Sequence, residues 1–157
     1  MKHVIFILLS LFFLASSAQE TGALNIYGKV KYKKSMMSEL KIEVYKDNEL
    51  QKEMKNLING SFKLDLKLGS VYSIAFSKDS YIEKSVSVVA KTDSTTSISG
   101  RYFFQLDIEL FKEEDGEVDE TVLPPLAKLY IKDQNTGFVY DKKYVKWAAE
   151  EYNEEKE

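Results

Sequence analysis

Between Leu24 and Leu110, in successive short runs, apolar residues return at every second position, and this constrains the chain more than any other feature. Leu24, Ile26, Gly28, Val30 and Tyr32 fall on one side, with Asn25, Tyr27, Lys29 and Lys31 on the other. Leu40, Ile42 and Val44 alternate with Lys41 and Glu43, and Phe62, Leu64, Leu66 and Leu68 with Lys63, Asp65 and Lys67. Tyr72, Ile74 and Phe76 continue the pattern, as do Ile82 to Val89 and Phe104, Leu106, Ile108 and Leu110. Successive side chains of a strand point to opposite faces, so a period of two makes strands with one face buried and one in water. A helix repeats at 3.6 and would scatter the same residues around its circumference. The run from Leu50 to Asn56 alternates poorly and is expected at a sheet edge.

Turn residues divide these runs. Asp47-Asn48 is expected to make a tight reversal. Asn59-Gly60 is expected to close a hairpin, because both residues tolerate the positive φ of a type I′ turn. Leu68-Gly69-Ser70 and Lys78-Asp79-Ser80 separate further strands. Short strands at a spacing of roughly 8–12 residues predict a mainly β chain, folded as a seven-stranded antiparallel Ig-like β-sandwich. A small hairpin is expected around Gln134-Asn135-Thr136-Gly137. Helical spacing enters only at the end, where Tyr144, Trp147, Ala148, Glu151 and Tyr152 form a stripe over 142–157 that is expected to lie on the sheet.

The first eighteen residues carry an address. Lys2 and His3 precede an apolar run from Val4 to Leu14, followed by Ala15-Ser16-Ser17-Ala18. That is the order of a secretory signal peptide, and the run falls short of the about 20 apolar residues of a spanning helix. Residues 1–18 are therefore expected to be removed on export. The expected organisation is then a sandwich domain over 19–111, an acidic, proline-bearing linker over 112–125, and a hairpin-plus-helix extension over 126–157. The expected compartment is periplasmic or extracellular, at most peripheral to an outer membrane, with no transmembrane anchor. With no cysteine in the chain, neither a disulfide nor a lipid-modified cysteine can contribute, and apolar burial must hold the fold. The formal net charge is -3, and one unit lower without Lys2. No broad positive field is present to attract nucleic acid.

Removal of the leader also removes His3, the single histidine. A chain without histidine and cysteine cannot build a Ser-His-Asp or Cys-His nucleophile or an ordinary zinc site. No phosphate-cradling glycine motif occurs. No catalytic, cofactor-binding or metal-ligating residue is therefore expected. Three patterns come nearest to chemistry. Asp107 and Glu109 could work as an acid–base pair if held about 5–9.5 Å apart in a cleft, but their alternation places them on a solvated face. Asp133-Gln134-Asn135-Thr136-Gly137, with Asp141 beyond, is similar to the start of a calcium loop. It misses the EF-hand spacing and reads as a turn bonded to its own backbone. The acidic run Glu113 to Glu120 reads as a solvated spacer. Recognition then falls to aromatic residues. Tyr27, Tyr45, Tyr144 and Trp147 are the candidate partner contacts, and Tyr102 and Tyr130 are also placed outward. Exposed aromatics beside lysines could grip a sugar or a peptide.

Between Leu24 and Val89 the motifs follow a recognisable order: Gly28-Lys29-Val30, Leu40-Lys41-Ile42-Glu43-Val44-Tyr45, Asn59-Gly60-Ser61-Phe62-Lys63-Leu64, Gly69-Ser70-Val71-Tyr72-Ser73-Ile74 and Tyr81-Ile82-Glu83-Lys84. This stretch, about 24–90, resembles the carboxypeptidase regulatory-like domain, a small transthyretin-like (prealbumin-like) β-sandwich of secreted and Gram-negative envelope proteins. Two departures stand out. Lys34-Ser35-Met36-Met37-Ser38 replaces a glycine- and alanine-rich link, and the step Gly69-Ser70-Val71-Tyr72 carries one extra residue. The resemblance implies a folding, docking or binding module rather than a catalyst. The expected function is thus a non-enzymatic exported module acting through contacts with another envelope protein, with Leu50 to Asn56 as an edge able to accept a partner strand. A carbohydrate- or small-ligand-binding module is the alternative, and a hydrolase using carboxylates alone a third reading.

Overall fold

The computed structural model describes residues 22–55, 57–91, 98–112 and 123–154. The expected signal peptide and the acidic run Glu113 to Glu120 lie outside them. Eleven strands and one helix follow in chain order: β1 (Ala23–Tyr32), β2 (Ser35–Met36), β3 (Lys41–Lys46), β4 (Glu49–Lys55), β5 (Ser61–Lys67), β6 (Val71–Ser77), β7 (Lys84–Val89), β8 (Arg101–Gln105), β9 (Ile108–Glu109), β10 (Ala127–Asp133), β11 (Gly137–Tyr140) and α1 (Lys142–Glu154). Sheet one is built on β1, whose first part lies between β5 and β8 and whose end pairs with β2 and β9. Sheet two runs β11-β10-β7-β6-β3-β4.

The expectation of seven antiparallel strands is corrected in both respects. The described residues form eleven, and β1–β8, β1–β9 and β7–β10 pair in parallel. Alternation reports which face a residue takes but not which neighbour its strand finds. The run expected as one strand from Phe104 to Leu110 breaks into β8 and β9 at Leu106-Asp107, although the alternation of burial continues through the break. Gly28 explains this closeness: a Cβ there would stand 1.7 Å from the Leu106 carbonyl oxygen. Only glycine lets the two backbones meet. The strand β2 lies within the stretch Lys34-Ser35-Met36-Met37-Ser38. Lys33 and Lys34, at φ 45° and 68°, turn β1 back on itself without a glycine.

Asp47-Asn48, at φ 48° and 71°, joins β3 to β4 as a two-residue reversal. Asn59 and Gly60 also take positive φ, 54° and 62°, but they do not close the expected hairpin. β4 pairs with β3 in sheet two and β5 with β1 in sheet one, so this turn carries the chain between sheets. Gly60 is held there because a Cβ would meet the Val30 carbonyl oxygen at 2.4 Å.

The apolar faces of both sheets share one core. Leu24, Ile26, Val30, Phe62, Leu64 and Leu66 from sheet one meet Ile42, Val44, Ile74, Phe76, Val86, Val88 and Leu129 from sheet two. The rings of Phe62 and Phe76 approach to 5.3 Å across the layers. At one side the sheets are stitched by Tyr102 against Phe138 (5.8 Å) and Phe104 against Tyr140 (5.0 Å). The helix is capped by Asp141, whose carboxylate accepts the backbone N–H groups of Lys143 and Tyr144, both at 3.1 Å. Ala148 and Tyr152 are buried, and the Tyr152 hydroxyl donates to the Pro124 carbonyl at 3.0 Å. Among the described residues no helix is long and apolar enough to cross a membrane.

Candidate binding site

The odd-numbered residues of β1 form the middle row of the outer face of sheet one. Register fixes their neighbours. Asn25 stands between Asp65 on β5 and Phe103 on β8, and Tyr27 between Lys63 and Gln105. Ala23 stands between Lys67 and Arg101 at one end. Phe103 is 66% exposed and Tyr27 45%, and they are diagonal neighbours on one face. A depression of about 420 Å³ opens beside Tyr27, lined also by Lys29, Ser61, Gln105 and Asp107. Two aromatic surfaces thus sit on a field of amide, carboxylate and ammonium groups.

Asn25 is the unusual member. A solvent-side position in a strand ordinarily leaves a polar residue in water, yet Asn25 is only 3% exposed and its Nδ2 has no hydrogen-bond partner. A buried amide that loses water without a replacement is destabilising by about 1–3 kcal/mol. Such a group in a native structure calls for an explanation, such as a bound water, an ion or a ligand. Nothing in the alternation marks this residue, because Asn is an ordinary choice on a polar face.

Of the residues selected from sequence, only Tyr27 belongs to this face. Tyr45 projects from β3 on the outer face of sheet two, opposite Ser73 of β6. Tyr144 and Trp147 lie together on α1, with ring centroids 5.3 Å apart. The helical stripe is corrected at Trp147, which is 44% exposed while Ala148 and Tyr152 turn inward. Val145, also partly buried against the core, takes the place the tryptophan was expected to fill. The four aromatics therefore do not make one site.

The acids are engaged within the fold. Asp107 accepts the Lys29 backbone N–H at 3.1 Å and pairs with the Lys31 ammonium at 3.1 Å. The Lys31 hydrogen bond, helped by the Lys29 N–H, holds its carboxyl below the usual carboxylate value. Glu109, the other acid of that pattern, lies on β9, beyond the break at Leu106-Asp107. Asp133 turns onto its own loop, accepting the Asn135 N–H at 3.0 Å, the Thr136 N–H at 2.6 Å and the Thr136 hydroxyl at 2.8 Å. Those Thr136 bonds lower its pKa. Asp141, the other candidate ligand, is the helix cap. Among the described residues no group of three or more His, Cys, Asp or Glu is placed to hold a metal ion.

One buried cation was missed. Lys84 is 4% exposed. It donates to the Glu109 carbonyl at 2.8 Å, and its ammonium lies 3.8 Å from the centroid of the Phe111 ring and 5.5 Å from that of Tyr152. The phase of β7 was the available signal, since Lys84, Val86 and Val88 share the inward face.

No family model matches the sequence, and no curated protein matches it. Among solved structures, catechol 1,2-dioxygenase from Acinetobacter sp. ADP1, inhibited by bound mercury, superposes with a TM-score of 0.43 at 11% identity, over 64% of this chain and 56% of that one. S.CueP superposes with a TM-score of 0.36 at 14% identity, over 57% of this chain and 62% of that one. The chain thus spans less than two thirds of the length of either protein.

Proposed function

We propose that the protein is an exported, non-enzymatic binding module of the cell envelope, built on a carboxypeptidase regulatory-like sandwich, and that its working face is the outer face of sheet one. The ligand we assign to that face is a saccharide chain. The observation that carries the reading is the unpaired, buried Nδ2 of Asn25 beside the exposed rings of Phe103 and Tyr27. The apolar C–H face of a sugar ring lies well on Tyr27 or Phe103, and a sugar hydroxyl or ring oxygen can accept from Asn25 once the side chains covering its Nδ2 move aside. Asp65, Gln105 and Lys63 supply further polar contacts around it. An open face with only a shallow depression beside Tyr27 suits holding a chain rather than transforming it.

A second reading, a protein partner on the edge of sheet two, is favoured by one observation. Among the described residues β4 pairs only with β3, and it is exposed along nearly its whole length. Its register skips Gln51 opposite the Val44–Tyr45 step, and Lys52, Glu53 and Lys55 line it. Bulges and charges discourage indiscriminate strand addition, so such a partner would need complementary charge.

A glycan array probed with the exported protein tests the reading. Retention of a saccharide class, lost by at least tenfold in Tyr27→Ala/Phe103→Ala with the melting curve unchanged, is the expected result. An array that stays blank, or binding indifferent to the double substitution, overturns it. Crosslinking of one envelope protein through β4 would then move the function to the sheet edge.

A further inference from the structure

A second concavity lies where α1 meets the seam between the sheets. It is an open groove of about 570 Å³, within the roughly 300–1,000 Å³ usual for small-molecule sites. Ile108, Leu126, Val145 and Ala149 give it an apolar wall, and Lys142 and Lys146 stand at its rim. Those four helix residues recur at i, i+3, i+4 and i+7, so one side of α1 offers alkyl groups and ammonium groups together. Asp107 also borders the groove, but its charge is already met by Lys31 at 3.1 Å. Lys142 makes no ion pair among the described residues, and Lys146 reaches Glu150 only at 4.0 Å. An apolar groove with surplus positive charge at its mouth matches a ligand with one alkyl chain and one anionic head.

We propose that this groove binds a free single-chain anionic amphiphile, a fatty carboxylate, with the chain between α1 and the β9–β10 seam and the head at Lys142 and Lys146. The groove shares Asp107 with the depression beside Tyr27, but the residues substituted in the two tests differ, so either proposal can fail alone.

Fluorescence titration of the exported protein with dansylaminoundecanoate tests it, with dodecanoate as competitor. The expected result is saturable binding that tightens about fourfold for each methylene added among shorter homologues and weakens about tenfold for the methyl ester, which lacks the charge. Lys142→Glu/Lys146→Glu is expected to weaken the acid about tenfold while leaving the ester unchanged. Ala149→Phe, which fills the groove, is expected to abolish both. Should Ala149→Phe fail to fold, the lysine pair decides, because both side chains are exposed. Absence of saturable binding, equal affinity for acid and ester, or indifference to the lysine pair overturns the proposal. Binding confined to anionic phospholipid vesicles, with none to the free acid, overturns it as well.

Discussion

Asn25 occupies a strand position that the alternation gives to solvent, and the fold then closes over it without supplying a partner for its Nδ2. Replacing it by an apolar residue of strand-favouring shape removes the unpaired group. Asn25→Val is therefore expected to stabilise the protein by about 1–3 kcal/mol, read as a higher urea midpoint at unchanged slope. The same variant is expected to lose saccharide binding at the face. A gain in one property with loss of the other is the signature of a group kept for ligand rather than for folding. A destabilised Asn25→Val would show instead that the amide supports β1. The phase of the chain assigned Tyr27 to an outer face correctly. Asn25 was not legible, because its significance lies in what surrounds it.

Elements were legible in proportion to how local their determinants are. Asp47-Asn48 reverses the chain between strands adjacent in sequence and in space, and its residue types sufficed. Asn59-Gly60 takes the same kind of backbone conformation but joins strands in different layers, since positive φ sets a direction and not a partner. The helix was expected from its spacing, but which of its residues turn inward depended on the seam it covers. Tyr152 anchors it there. Burial raises the Tyr152 hydroxyl from 10.0 to about 12. Because the folded value exceeds the unfolded one, this contribution to stability is complete below pH 10 and is lost as pH rises through about 12. Wild type is expected to undock α1 across that window, followed by Trp147 fluorescence. Tyr152→Phe, lacking the bond to Pro124, is expected to be about 1 kcal/mol less stable at neutral pH and to show a shallower alkaline loss. Identical alkaline curves for the two proteins would remove Tyr152 as the cause.

Across the whole molecule, the region after the acidic run is joined to the sandwich rather than merely attached to it. β10 extends sheet two by parallel pairing with β7, bringing Ala127 beside Val86 and Leu129 beside Val88. Leu129, Ile131 and Phe138 join the common core. Burial of such side chains stabilises by roughly 1.5–3 kcal/mol each, against a total of about 5–15 kcal/mol for a domain. A chain ending at Lys112 would also bare the edge of β7. It is expected to lose cooperative unfolding and to self-associate, as read by size-exclusion chromatography and thermal melting. A monomeric truncated form with the melting behaviour of the full protein would mean that the sandwich stands without β10, β11 and α1.

What the sequence determined by itself was the class of structure and the facing of its residues. A period of two leaves strands as the solution, and charge on alternate positions leaves one face in water. The tertiary structure decided the rest: eleven strands instead of seven, three parallel pairings, a turn that changes sheets, Trp147 outward and Lys84 inward. Strand partners are chosen by contacts distant in sequence, and periodicity carries no information about them. The candidate face has the same origin, because Asn25, Tyr27 and Phe103 become one surface only when β8 is laid beside β1.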